Sequence, residues 1–67
     1  MKRSYYVHDA DTGALAHETW TNYGSSDALD WAEYHARTDD KTYIVSNDKG
    51  RSLALFTPSG ENEYLGY

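Results

Sequence analysis

The residues of this chain with the widest chemical range are three histidines and eleven aspartates and glutamates. His8, His17 and His35 are the only imidazoles. A strand pair can bring His8 and His17 to one face, with Asp9 or Glu18 nearby. Zinc needs three or four converging ligands. His17-Glu18 supplies two, and no His-Glu-x-x-His spacing occurs, so ordinary half-buried histidines are expected rather than a metal centre. Asp9-x-Asp11-x-Gly13 matches the opening of a calcium loop. The downstream bidentate Glu and the further oxygen ligands are missing at the required spacing. The same residues suit a hairpin turn, where Asp accepts local backbone N–H groups and Gly13 takes the left-handed position. Nucleophilic catalysis would need a Ser or Thr beside a His beside a carboxylate in a pocket. Those residue types are present, but no spacing marks them. The expectation is a chain that is not an enzyme, with no catalytic residue, no metal and no cofactor.

The carboxylates form a more informative set. Asp27, Asp30 and Glu33 fall within one helical stretch, and Asp39-Asp40 follow it. Trp31 and Tyr34 lie among them. Tyr and Trp anchor interfaces because they supply area at low entropy cost, and acidic groups steer toward a basic partner. Asp27, Asp30, Trp31, Glu33, Tyr34, Asp39 and Asp40 are therefore the candidate partner-binding residues. The alternative is an ordinary solvated helix face.

These residues are positioned by a helix expected over residues 25–38. A Ser hydroxyl can cap its amino end. Asp27 and Asp30 favour the positive end of its dipole and Arg37 the negative end. At about 100° per residue, Ala28, Ala32, Ala36 and Leu29 share one stripe, with His35 at its edge. A stripe of such small volume predicts a helix lying close to a sheet whose own large residues fill the space. Asp27, Asp30 and Tyr34 point the other way, and Trp31 sits on the border.

Strands are expected over residues 3–9 and 14–20, joined by the turn ending at Gly13. Others are expected over 41–47 and 51–57, joined by Asn47-Asp48-Lys49-Gly50. A short edge strand through Tyr64 and Leu65 follows the turn Thr57-Pro58-Ser59-Gly60, unless the last residues fray. If Asp9 pairs with Ala14, Tyr5, Val7, Ala16 and Trp20 face inward, and Tyr6 and His8 share the other face with Leu15 and His17. A one-residue slip would exchange these partners. Leu53 and Leu55 fall on one face of the fourth strand and Ala54 and Phe56 on the other, which suits a central strand. The fold class is α+β: a single small domain of order β-β-α-β-β(-β), with one amphipathic helix on an antiparallel sheet.

Sixty-seven residues make one domain over residues 1–67 and bury a modest core. The chain has no Cys, so no disulfide or thiolate site staples it. Seven Tyr, two Trp and one Phe substitute for bulk, and the alternative to an interaction module is a small structural domain acting as a homodimer through an edge strand or an aromatic sheet face. The net charge of −5 opposes direct nucleic-acid binding. Tyr5, Tyr6, Tyr43, Phe56 and Tyr64 could stack on bases, but Lys2, Arg3, Lys41, Lys49 and Arg51 are few beside them. The charge suits a protein partner with a basic surface. No apolar run is long enough for a membrane span or a signal peptide, so a cytoplasmic protein is expected.

With the helix over residues 25–38 and the turns at Gly13 and Gly50, the order strand, strand, helix, strand, strand resembles that of small phage-encoded orphan proteins. These include anti-CRISPR proteins, which inhibit bacterial CRISPR surveillance complexes. Some use acidic surfaces to occupy sites meant for DNA, and others block by direct contact. The resemblance is one of architecture and size, and no residue role is carried over from it. It implies an inhibitor acting in a host cytoplasm on a nucleic-acid-binding effector complex.

Overall fold

A computed structural model describes residues 3–21 and 26–65, with the backbone alone at Thr21. Its elements are β1 (Arg3–Asp9), β2 (Leu15–Thr21), α1 (Ser26–Asp39), β3 (Tyr43–Asn47), β4 (Ser52–Phe56) and β5 (Glu63–Tyr64). The strands form one antiparallel sheet in the order β2-β1-β3-β4-β5, and α1 packs on one side of it. This is the α+β arrangement expected. The Ser25 cap and most of the connector over 21–24 lie outside the described residues.

The alanine stripe explains the packing. Ala28, Ala32 and Ala36 are fully buried, and Leu29 and Trp31 pack at the margins of the core. Each methyl takes little room, so the helix backbone comes close to the sheet. Bulk comes from below: Val7, Val45 and Phe56 are essentially inaccessible, and Tyr5 and Tyr43 nearly so. Burying each Val or Phe side chain contributes about 1.5–3 kcal/mol.

Two β-bulges decide which side chains join that core. The first hairpin begins in the expected register: the Asp9 N–H donates to the Ala14 carbonyl at 2.9 Å, and His8 faces Leu15. Then the register shifts, and Val7 pairs with His17 and Tyr5 with Thr19. Ala16 is the extra residue, as a bulge sets two residues opposite one. The expectation that Ala16 and Trp20 face inward with Tyr5 and Val7 is thereby corrected. Ala16 is exposed, Trp20 is 66% exposed, and His17 and Thr19 take the inner face. His8 and His17 consequently lie on opposite faces rather than sharing one. The second bulge falls between Val45, which pairs with Ala54, and Ser46, which pairs with Ser52. Leu53 is the extra residue there and is buried in the same core as Ala54 and Phe56, parted from Leu55. β4 is an interior strand as expected, although β3 is the middle one.

The turns follow the sequence signals. Asp9 is buried, and its Oδ1 accepts the N–H groups of Asp11 at 2.8 Å and Thr12 at 3.4 Å. Its carbonyl accepts the Gly13 N–H at 2.8 Å, with Gly13 at φ +76°. The first carboxylate of the calcium-like string is thus spent on the turn, with Lys41 Nζ 3.8 Å from its other oxygen. At the end of α1, Asp40 takes the left-handed conformation (φ 55°), and the Lys41 N–H reaches back to the Ala36 carbonyl at 3.2 Å. That 6→1 bond is a Schellman closure, with an aspartate where glycine is usual.

Candidate functional site

The seven candidate residues do not share one surface. Asp27, Asp30 and Tyr34 stand on the outer face of α1, all exposed, with Tyr34 at 60%. Tyr34 follows Asp30 by four positions and Asp27 by seven, so the ring and both carboxylates are neighbours on the helix surface. Arg37 is the one cation of the helix and is also exposed. Glu33 leans to the β5 side, where its Oε2 accepts the Asn62 side-chain N–H at 3.3 Å. Asp40 is exposed just past the helix end.

Trp31 and Asp39 belong to the opposite flank. Trp31 is sandwiched between two imidazoles. His17 lies 4.6 Å away between ring centroids at 4°, and His35 lies 4.0 Å away at 24°. Tyr43 meets its edge at 5.5 Å. Aromatic pairs at such distances stabilise beyond the area they bury, so Trp31 is packing rather than an offered ring. Asp39 Oδ2 accepts the Tyr43 hydroxyl at 3.0 Å and lies 3.4 Å from His35 Nδ1. The Tyr43 hydrogen bond, with smaller help from His35 and Thr38, holds the Asp39 carboxyl below its ordinary range against the opposing effect of burial. Burial chiefly, then the Asp39 hydrogen bond and the charges of Asp39 and Asp9, pushes the Tyr43 phenol up.

A second surface is the sheet face that the sequence offers for pairing. The sheet face turned away from α1 carries Tyr6, His8, Leu15, Trp20, Ile44 and Leu55. Leu15 is 54% exposed. A shallow groove of about 480 Å³ runs past Tyr6, His8, Leu15 and Ser46 to the β3–β4 turn. The bulge at Ala16 is what turns Trp20 to this side, and nothing in the local sequence marks it. Tyr6, His8 and Leu15 share this face as the sequence predicts, and only His17, beyond the bulge, departs from it.

Among the described residues, no three His, Asp or Glu side chains converge where a metal ion could sit. No described helix is long and apolar enough to cross a membrane. The arrangement offers contact surfaces: an acidic face with one ring on the helix side and an aromatic-aliphatic face on the other. Comparison with known proteins finds no matching protein family, no matching curated protein and no matching solved structure.

Proposed function

We propose that the chain is a non-enzymatic interaction module, an inhibitor that lays the outer face of α1 on a basic, nucleic-acid-binding surface of a protein partner. The exposed neighbours Asp27, Asp30 and Tyr34 carry this reading. The carboxylates stand in for phosphates, and the ring supplies the apolar contact that phosphate mimicry alone lacks. A net charge of −5 supports the same choice. Likeness in size and element order to phage anti-defence inhibitors supplies the partner class, an effector that holds nucleic acid, and the setting, a host cytoplasm.

The test is retention of a basic nucleic-acid-binding protein from nuclease-treated bacterial lysate, compared for the native chain and Asp27→Lys/Asp30→Lys. The native chain is expected to hold it at low salt and release it as salt rises, because exposed charge attraction is screened. The variant is expected not to hold it. Equal retention by both would remove the helix face from the mechanism.

A further inference from the structure

The sheet face away from α1 is organised as a row. Leu15, His8, Ile44 and Leu55 are successive register partners across β2, β1, β3 and β4, and the row ends at Glu63 on β5. Tyr6 lies in the next row, between Glu18 and Ser46. The inner strands β1, β3 and β4 place no Lys, Arg, Asp or Glu on this face. Its carboxylates lie at the rim, Glu18 and Glu63 on the outer strands and Asp48 on the β3–β4 turn at the end of the groove. An apolar centre depleted of charge within a polar rim is the anatomy of a protein interface.

We propose that this face pairs with the same face of a second copy, giving a two-fold sandwich with the helices outermost. Charge selects the occupant. The chain carries −5, yet self-pairing here brings no like charges together at the centre and sets the two acidic helix faces at opposite ends. A basic partner would find carboxylates only at the rim and none on the three inner strands. Area agrees. Strands about 4.8 Å apart with about five residues at 3.3 Å each give roughly 400 Å² of plan area. Side-chain relief brings the total over both copies to about 1,000 Å², the lower bound for a specific interface. The edges favour face pairing over strand addition. β2 is interrupted by its bulge and carries Glu18, and β5 has two residues; both devices blunt an edge. A two-fold contact is self-complementary and closes at two copies. The inference goes beyond the proposed inhibitor role and uses the other side of the molecule, so either can fail alone.

Sedimentation equilibrium of the full chain tests it, from about 5 µM to about 1 mM, the range of a weak specific dimer. The mass is expected to climb from 7.6 kDa toward twice that value. Leu15→Glu, at a position already exposed in one copy, is expected to raise the dissociation constant at least ~10-fold. Asp27→Lys/Asp30→Lys is expected to leave it unchanged. Dilution of the native chain, followed by amide NMR, is expected to move Tyr6, His8, Ile44 and Leu55 together. A mass fixed at one copy, a dimer indifferent to Leu15→Glu, growth beyond two copies, or shifts confined to α1 or the β2 edge would each overturn the proposal.

Discussion

His17 lies flat against Trp31, with ring centroids 4.6 Å apart and planes 4° from parallel. The contact ties the outermost strand to the helix, and it exists because the extra residue at Ala16 turns His17 inward. His35 covers the other face of the indole, so one side chain joins two elements through two rings.

Removing that indole should therefore loosen β2 as well as α1. Trp31→Ala is expected to cost about 3 kcal/mol, the low end for a large aromatic because the ring is only partly buried. His17→Ala should cost about 1 kcal/mol. Urea unfolding of both variants and their combination should give a coupling of about 0.5–1.5 kcal/mol. A coupling of zero would mean that the rings are adjacent without stabilising each other.

The Asp39–Tyr43 hydrogen bond predicts opposite pH effects at the two extremes. Asp39 is depressed in the folded chain, so its contribution is present above the unfolded carboxylate value of about 3.9 and is lost as pH falls through the folded one. Tyr43 is raised, so its contribution is present below about pH 10 and is lost as pH rises from there through the folded value. Stability curves for the native chain and Tyr43→Phe should converge at both ends and separate most between them. Parallel curves from pH 3 to pH 11 would show no linkage through this pair.

Thr19 Oγ1 is the buried side-chain oxygen that finds no hydrogen-bond partner among the described residues. Thr19→Val keeps the shape and removes the unpaired hydroxyl, so it should stabilise the fold by about 1 kcal/mol. An unchanged or lowered urea midpoint would show that the hydroxyl is satisfied in solution.

Close approach of α1 to the sheet leaves no space above Ala32, which is fully buried. Ala32→Leu is expected to cost about 2 kcal/mol or more through overpacking. Asp30→Ala, on the exposed side of the same helix, should stay within about 0.5 kcal/mol of the native chain. Similar midpoints for the two variants would contradict the tight contact.

Asp40 closes α1 with φ 55° and sits at the negative end of the helix dipole. Both features disfavour aspartate there. Asp40→Gly should raise stability by about 0.5–1 kcal/mol, with the greater freedom of glycine in the unfolded chain limiting the gain. A loss in thermal unfolding would mean that the carboxylate has a stabilising contact in solution.

Features with a local cause were legible in the sequence. The alanines at four-residue spacing place Ala28, Ala32 and Ala36 inward and Asp27, Asp30 and Tyr34 outward, because helix geometry alone fixes those angles. Gly13, Gly50 and Gly60 mark turns because each takes a positive φ. The bulges were not legible. Ala16 and Leu53 satisfy simple alternation in either register, and the choice is made by what faces them across the sheet. Trp20 suited an inward place by residue type, yet one extra residue upstream turns it out. Trp31 lay on the helix border by angle, and only a ring arriving from β2 decides that it packs. Asp39 followed the helix like any exposed acid, but the Tyr43 hydroxyl four residues on engages it.

Because of the bulge at Ala16, the two indoles of the chain stand on opposite sides of one sheet, and each can be made the sole indole, excited beyond the absorption of the seven tyrosines. With Trp31→Phe, emission comes from Trp20 alone, and its wavelength reads the polarity above the outward layer. With Trp20→Phe, it comes from Trp31, and its intensity reads the intactness of the imidazole sandwich. The native fold thus carries two optical reporters that need no label, one for each side of the molecule.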